Sequence, residues 1–425
     1  MLHALPVSAA ADGIFTLSDR TEARLRAPDP ITHAAALDLD TLMDARAVWD
    51  GRSTTYTLSD SPRFTLLDYN GPAIQPALLD SVLAAAEWHS PHVRIRVAEN
   101  ASYGQFSIES LAALPAPGSS QPPATTTGPA PPPSAAVVPA TTKSLLYGSS
   151  DTTLASTLQL RPWTVIARAG YHISGGADPA ARVFLPLSQG PFVEGTADTK
   201  VDSRDHLTTV ARASATSFSN TVISTGTTAS GTPSETAATS SGSNDLLITI
   251  EERWRHQWAR RTETMLAAGW YAANTQVGNA PQMFASNAVA EAALDQRFER
   301  GRNVTLFRVD VRLAPLVNPL TGVVDEQIRG TLAGGWTHHR YGLRAFVSAG
   351  GSTHQGTSVS DRLAMGEIDA AYTVSEALTF DFGVRALYQE QNGPGPVGGP
   401  PIVEGTLAQG VVFVAVTVNP VKVRF

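Results

Sequence analysis

Apolar and polar residues alternate along most of this chain, beginning near Phe15. In the clearest run, LTFDFGVRALY at residues 378–388, apolar residues occupy every even-numbered position, and Asp381 and Arg385 fall between them. Successive side chains of a β-strand point to opposite faces, whereas the apolar residues of an amphipathic helix recur every three or four positions. The chain is therefore predicted to consist almost entirely of amphipathic β-strands.

The last fifteen residues, VVFVAVTVNPVKVRF, carry the same pattern with one defect. Every second residue from Val412 to Val418 is valine, and the residues between them form the other face of the predicted strand. After Asn419-Pro420 the apolar series resumes one residue out of phase. A β-bulge absorbs such a slip, and proline is tolerated there because it has no N–H to donate to the ladder. We therefore predict a final strand with a bulge at Asn419-Pro420.

The connections between predicted strands alternate between short and long. Tight links are indicated at residues 49–52, 89–92, 160–162, 202–205, 257–261, 299–302, 338–340 and 375–377. Low-complexity loops are predicted among the longer links, at residues 115–142, 220–244 and 392–405. Their Pro-, Ser/Thr- and Gly-rich compositions cannot bury a core and belong in solvent. Short turns alternating with long polar loops are typical of a transmembrane β-barrel.

The segments add up to about eighteen strands of a single antiparallel up-and-down β-barrel. They are predicted at residues 14–27, 33–48, 52–67, 77–89, 92–110, 143–160, 162–174, 190–202, 205–219, 245–257, 261–274, 287–299, 302–314, 326–338, 340–352, 361–374, 377–391 and 406–425. The second and eighth strands have the weakest alternation, and without them the count would be sixteen. An even count leaves both termini at the end with the short turns, the periplasmic end.

Other architectures fit the sequence less well. No stretch of about 18 to 20 apolar residues occurs, which excludes a membrane-spanning helix. A soluble sandwich could bury the apolar faces of two sheets against each other. Its Greek-key connections would interrupt the alternation, which here continues over many strands. The proline-rich stretch could also be an interdomain linker, but the same strand pattern stands on both sides of it, which favours one domain.

The N-terminus, MLHALPVSAAADG, lacks the charged and apolar regions of a complete signal peptide. The small residues from Val7 to Ala11 resemble the segment before a signal cleavage site. We interpret residues 1–13 as a signal-peptide remnant or N-terminal tail, and residues 14–425 as the barrel. We expect it in the bacterial outer membrane, in contact with outer-membrane lipid.

In a barrel the apolar faces meet lipid and the polar faces line the lumen. Trp88, Trp163, Trp258 and Trp336 lie near strand ends, where interfacial aromatic residues are expected. The residues predicted to line the lumen are Arg20, Arg24, Arg94, Arg96, Arg168, Arg253, Arg255, Arg308, Asp310, Arg312, Arg329, Arg344, Asp381 and Arg385. Such arginines either pair with carboxylates across the wall or present guanidiniums to carboxylated or phosphorylated solutes.

A lumen of about eighteen strands is wide enough for an aqueous channel. The predicted function is that of a porin-like outer-membrane channel, passing polar solutes passively through a lumen lined by arginine and acid. The alternative is a surface-display or structural barrel with a closed lumen. A third and weaker interpretation is an outer-membrane hydrolase.

The sequence offers little support for catalysis. It contains no cysteine, which excludes disulfides, a thiol nucleophile and a thiolate metal site. No HExxH, GxSxG or P-loop motif occurs. His338 and His339 are adjacent and would point to opposite sides of a strand. We therefore predict no enzyme activity, no catalytic or metal-binding residues and no cofactor. The net charge of −7 and the absence of a basic run argue against nucleic acid as a partner.

The final strand resembles the closing strand of bacterial outer-membrane β-barrels. That resemblance implies that Val421, Val423 and Phe425 form the signal read by the barrel-insertion machinery. The bulge at Asn419-Pro420 and the continuous valines depart from the stricter alternation of that family.

Several further stretches resemble the large outer-membrane barrels of myxobacterial type that accompany polysaccharide-export loci. They are PRFTLLD (62–68), EWHSPHVRIRVAENASYGQFS (87–107), LPLSQGP (185–191) and WRHQWARRTETMLAAG (254–269). The likeness covers most of the chain, through strand and turn patterns with no chemical signature. It implies an eighteen-stranded conduit for secreted polysaccharide, working with a periplasmic polysaccharide-export protein.

Overall fold

The computed structural model of the chain describes residues 12–26, 35–67, 75–107, 144–182, 185–227, 233–278, 281–317, 323–354, 360–392 and 405–424. These residues form one antiparallel sheet that closes on itself, because the last strand pairs with the first. One short helix, α1 (Pro179–Arg182), lies between two strands. No helix among the described residues is long and apolar enough to cross a membrane.

The sheet contains nineteen strand segments in chain order. They are β1 (Asp12–Arg26), β2 (Ala36–Asp50), β3 (Thr54–Asp60), β4 (Arg63–Leu67), β5 (Gln75–His89), β6 (Val93–Ser107), β7 (Ser144–Leu160), β8 (Trp163–Gly176), β9 (Leu187–Lys200), β10 (Asp205–Thr227), β11 (Pro233–Ala259), β12 (Thr262–Val277), β13 (Met283–Arg300), β14 (Asn303–Val317), β15 (Val324–His338), β16 (Tyr341–His354), β17 (Ser360–Ser375), β18 (Leu378–Asn392) and β19 (Gly405–Arg424). Apart from β3 and β4, which do not pair with each other, each segment pairs with its neighbours in the chain, which is the up-and-down order.

Two of these segments, β3 and β4, form a single strand of the wall. Both pair with β2 on one side and with β5 on the other, and Ser61-Pro62 interrupts them. Proline cannot donate to the ladder, so the strand breaks at that point. Nineteen segments therefore make eighteen wall strands, which confirms the predicted number. The second and eighth wall strands, β2 and β9, are both present, so the sixteen-strand alternative is wrong.

The predicted bulge of the closing strand is also confirmed. Leu17 lies opposite Val421, and Asp19 lies opposite Val418. Three steps along β19 therefore match two steps along β1, and the extra residue falls at Asn419-Pro420. Phe425 lies outside the described residues.

The short connections all lie at one end of the barrel, together with both ends of the described sheet. They are residues 51–53, 90–92, 161–162, 201–204, 260–261, 301–302, 339–340 and 376–377. This arrangement confirms the predicted alternation of short turns and long loops. We call the two ends the turn end and the loop end.

The prediction of a loop over residues 220–244 is wrong for most of its length. β10 continues to Thr227 and β11 starts at Pro233, and the two strands pair through this region with one register shift after Val222. Threonine suits a strand, and two arms of a hairpin satisfy each other's backbone groups without a core. The predicted loop at 115–142 lies outside the described residues, as do residues 393–404 of the predicted 392–405 loop.

The barrel exposes apolar side chains on its outer face and encloses charged ones. Phe382, Val384 and Val414 are 57%, 49% and 49% exposed, whereas Asp381 is 3% exposed. The four predicted interfacial tryptophans are exposed at the turn end: Trp88, Trp163, Trp258 and Trp336. A closed barrel with an apolar exterior satisfies its backbone internally and suits a lipid bilayer. The protein is therefore an outer-membrane β-barrel.

One sector of the outer face departs from this pattern. Asp19, Asp60, Asp80 and Glu99 occupy outward positions on the first wall strands, in alternation with exposed residues such as Leu58. Hydroxyls accompany them, since Ser150 and Thr152 both donate to the carboxylate of Glu99. The outer face of β1 to β6 is therefore less apolar than the outer face of β18, where Phe382 and Val384 are exposed.

Candidate functional site

The fourteen residues predicted to line the lumen all lie on the inner face of the wall. Arg385, for example, follows Val384, which is 49% exposed on the outer face, and Arg308 follows Phe307, which is 38% exposed. Because successive strand residues point to opposite faces, each arginine points inward. The charged residues of the inner wall form three groups, which differ in how completely the arginines are paired with carboxylates.

The first group, which we call the seam network, surrounds the place where β1 closes against β19. Its members are Asp369, Arg344, Asp381, Arg20, Glu22, Arg24, Asp40 and Arg63, and each is ion-paired to the next. Seven ion pairs thus join four cations and four anions in strict alternation. The N–O distances range from 2.5 Å for Arg24–Asp40 to 3.5 Å for Arg344–Asp381. This part of the wall is neutral as a whole.

The seam network crosses β19 although that strand contributes no charge to it. Ala415 lies on the inner face between Glu22 and Asp381, its cross-strand partners, and is 0% exposed. Arg20 of β1 reaches over this strand to Asp381 of β18, with Nη1 3.1 Å from Oδ2. Thr417 donates a further hydrogen bond to the same oxygen at 3.3 Å. The small side chain of Ala415 leaves room for this contact.

Phe413 fills the inner face next to Ala415. The guanidinium of Arg385 lies 5.3 Å from its ring centroid, at a distance typical of a cation–π contact. Gly383 makes room for the ring, since a Cβ at that position would come within 2.5 Å of Phe413 Cζ. Arg385 also pairs with Glu367, with Nε 2.6 Å from Oε2.

The second group, which we call the arginine arc, comprises Arg96, Arg168 and Arg212. They lie on one line across β6 to β10: Arg96 is opposite Ala155, Ala155 opposite Arg168, Arg168 opposite Glu194, and Glu194 opposite Arg212. Arg168 Nη1 is 3.7 Å from Glu194 Oε1. Among the described residues, no carboxylate oxygen lies within 4 Å of Arg96 or Arg212.

The surroundings of the arc keep its positive charge in excess. Arg212 lies over the ring of Phe192, 5.8 Å from the centroid, and Phe192 is 5% exposed. Arg94, two residues before Arg96 on β6, also points inward, and Glu87 of β5 lies opposite Arg96. With Glu194, the line through the arc holds three guanidiniums and two carboxylates, while Asp151 and Asp198 also point inward, four residues away from that line on β7 and β9.

The third group lies on β11 to β15, where ion pairs stand beside an apolar cluster. Arg312 of β14 reaches Glu251 of β11, with Nη2 3.5 Å from Oε1. The residue opposite Glu251 on β12 is Gly269, whose lack of a side chain leaves space for this long contact. Further inward pairs on these strands are Arg253–Glu251, Arg255–Glu263, Arg308–Asp310 and Arg312–Glu291. Arg329 lies opposite Arg312.

The apolar cluster lies toward the loop end of the same strands. Tyr271, Ala273, Val289 and Val324 are at most 2% exposed, and Leu247, Ala285, Ala314 and Val317 pack against them. The inner wall is therefore charged at mid-height and partly filled by apolar side chains nearer the loops.

Several inner-wall residues of these networks were not among the fourteen predicted. Asp40, Arg63, Glu194 and Arg212 are the main ones. The alternation of apolar and polar residues could have identified Arg212 as an inner-wall residue, because it stands between Ala211 and Ala213 in a predicted strand. Alanine marks an apolar face weakly, and the signal is easily overlooked.

The adjacent histidines lie at the turn end. His338 Nδ1 is 2.8 Å from Asn303 Oδ1, and His339 stands in the turn with Arg302 Nη1 3.0 Å from its Nε2. Desolvation, together with Arg302 and His338, lowers the pKa of His339 below its usual value. Among the described residues, no group of three or more His, Cys, Asp or Glu could hold a metal ion.

A model of the EpsX exopolysaccharide export family matches residues 5–393 of the chain. This match confirms the resemblance to barrels associated with polysaccharide export. No curated protein sequence matches the chain significantly.

Solved structures with a similar fold are outer-membrane barrels. The FrpB iron transporter from Neisseria meningitidis (F5-1 variant, apoprotein form) is 9% identical, with a TM-score of 0.50 over 98% of this chain and 81% of its own. Pseudomonas aeruginosa OccK2 (OpdF) is 11% identical, with a TM-score of 0.46 over 97% of this chain and 98% of its own. At such identities the similarity concerns the fold alone.

Proposed function

Because the chain belongs to the EpsX exopolysaccharide export family, we propose that it forms an outer-membrane channel for passive passage of polar solutes, including secreted polysaccharide. The observation that carries this proposal is the closed barrel of eighteen wall strands with a charged inner face and an apolar outer face. Barrels of about this strand number enclose an aqueous lumen.

The pairing of charges on the inner wall supports passage of a polar polymer. Side chains that already form ion pairs present hydrogen-bonding groups without a large net field, so a hydrated chain can bind weakly and leave again. The turn end holds both ends of the described sheet and would face the periplasm. A periplasmic polysaccharide-export protein would deliver the polymer at that end.

A second candidate function is surface display by a barrel with a closed lumen. The apolar cluster around Tyr271 favours it, since these inner-wall residues are almost completely buried. A lumen filled in this way would conduct no ions.

Single-channel conductance separates the two candidates. The refolded full chain in a planar bilayer is expected to give a stable conductance of nanosiemens order. Folding is checked by heat-modifiable migration in gels. A folded barrel that stays silent would contradict the open channel and favour the closed one.

A variant with a shortened hairpin tests for a gate. Removal of residues 222–239 retains Thr221 opposite Ser240, so that the two can form the new turn. If only this variant conducts, the channel is gated at the loop end.

We further propose that Val421, Val423 and Phe425 form the signal read by the barrel-insertion machinery. Val423 is 50% exposed on the outer face and lies opposite Phe15. Val423→Asp places a charge on that apolar face and is expected to reduce the assembled fraction in outer-membrane preparations severalfold. The same change at Val201, an exposed residue of a short turn, should leave assembly unchanged. Equal assembly of both variants would contradict the proposal.

A further inference from the structure

We propose that the arginine arc is a binding site for acidic glycans, in which Arg96, Arg168 and Arg212 contact carboxylate groups carried along the polymer. The inference rests on the proposed channel function and adds to it the chemical class of the solute. It concerns one side of the lumen, from β6 to β10.

The first argument is the contrast between the arc and the seam network. Every guanidinium of the seam network has a carboxylate oxygen within 3.5 Å. Arg96 and Arg212 have none within 4 Å among the described residues, and Glu194 approaches Arg168 only to 3.7 Å. An arriving carboxylate would have to break pairs at the seam, whereas Arg96 and Arg212 offer it guanidiniums with no carboxylate oxygen within 4 Å among the described residues. Charge-assisted, bidentate contacts to arginine are the strong class of such bonds.

The second argument is the way in which Arg212 is held. The Arg212 side chain is partly buried on the inner wall, and its guanidinium lies over the ring of Phe192. A contact of this kind orients the guanidinium plane without using its N–H groups. A guanidinium without a carboxylate partner in such surroundings is costly to maintain, and an anionic ligand would offset that cost.

The third argument is the spacing of the arc. Neighbouring arginines are two strands apart, which corresponds to about 9.6 Å along the wall, since adjacent strands are about 4.8 Å apart. One small anion does not span three such anchors, but a polymer with acidic groups at intervals can contact them in succession. Glu194, between Arg168 and Arg212, would act as a weak counter-ion that the ligand displaces.

The experiment uses the refolded full chain in planar bilayers at low salt, where charge contacts are least screened. Oligogalacturonate is the acidic blocker, and a malto-oligosaccharide of equal length is the neutral control. Oligogalacturonate is expected to block the current at a concentration at least about tenfold lower, as lost charge-assisted hydrogen bonds of about 1.5–3 kcal/mol would imply.

Variants assign this preference to the arc. R96Q/R212Q is expected to raise the blocking concentration of oligogalacturonate about tenfold or more and to leave that of the neutral sugar unchanged. R255Q/R297Q is the matched control, because it removes two charges from the inner wall at a different place, where the side chains are 54% and 48% exposed, and it should leave the acidic block unchanged. Glu194→Gln removes the competing carboxylate and is expected to strengthen the acidic block, so this variant tests the site even if the double variant fails to fold.

Two results would overturn the proposal while the channel itself stands. One is equal block by the acidic and the neutral oligosaccharide, and the other is unchanged acidic block in folded R96Q/R212Q. If the wild-type barrel is folded but silent, the channel function falls, and equilibrium dialysis of oligogalacturonate against the detergent-solubilised barrel decides the binding site. Binding that R96Q/R212Q weakens supports the site, and absence of binding overturns it.

Discussion

Arg24→Met is expected to lower the free energy of unfolding by about 3 kcal/mol, the lower end of what breaking a buried ion pair costs. Arg24 stands at the centre of the seam network, with Nε 2.6 Å from Glu22 Oε1 and Nη2 2.5 Å from Asp40 Oδ2. The side chains of these two carboxylates are only 6% and 8% exposed. The substitution keeps most of the volume of the side chain but leaves two buried carboxylates with one partner fewer.

Denaturant unfolding of the barrel refolded in lipid vesicles measures this loss. Arg255→Met serves as the control, because Arg255 lies on the same inner wall but its pair with Glu263 is 54% and 39% exposed. Such an exposed pair contributes about 1 kcal/mol or less. Equal losses in the two variants would show that the seam network does not stabilise the barrel beyond a surface pair.

A second substitution identifies the cause of the loss. Adding Glu22→Gln to Arg24→Met removes one of the two buried carboxylates that lost a partner, although Glu22 retains its pair with Arg20 in the single variant. The double variant is expected to recover about 1 kcal/mol relative to Arg24→Met, since residues in one ion-pair network couple by about 0.5–3 kcal/mol. Strict additivity would mean that Arg24 contributes through packing alone.

Val384→Arg is expected to destabilise the barrel by about 2–4 kcal/mol, the cost of an arginine on the lipid face near the bilayer midplane. Val384 is 49% exposed and lies near the middle of β18 (Leu378–Asn392). In a soluble sheet the same change on an exposed face would cost almost nothing. The measurement therefore tests which face of the wall meets lipid.

Unfolding in vesicles is again the assay, with Val201→Arg as the control. Val201 is 65% exposed in a short turn at the end of the wall, where an added arginine costs about 0–1 kcal/mol. A small effect at Val384, similar to that at Val201, would contradict the membrane orientation of β18.

Most of the fold could be predicted from local pattern because a barrel repeats one simple rule. Strict alternation identified the strands, and the even count with alternating turn lengths identified the two ends. Where local composition misled, pairing explains the difference: the Ser/Thr-rich residues 220–227 lie in β10 because β11 pairs with them. Likewise, the break at Ser61-Pro62 divides one wall strand into two segments without changing the count.

The partners of the inner arginines could not be predicted in the same way. Alternation assigns a side chain to a face, but which charges meet depends on the register of all the strands between them. Arg20 and Asp381 are 361 positions apart in the chain and become neighbours only through closure. The uneven charge of the wall, neutral at the seam and positive at the arc, therefore emerges only from the closed sheet.

The contact across Ala415 also bears on how the barrel is completed during biogenesis. The first strand supplies Arg20, the penultimate strand supplies Asp381, and the last strand passes beneath them. The bond can form only when β19 pairs with both β1 and β18 in the native register. A slip by one residue would turn the inner faces outward, and a slip by two would move the guanidinium away from its acid. The contact between Arg20 and Asp381 therefore stabilises only a barrel whose last strand is in the native register. A barrel with a shifted last strand lacks this stabilisation.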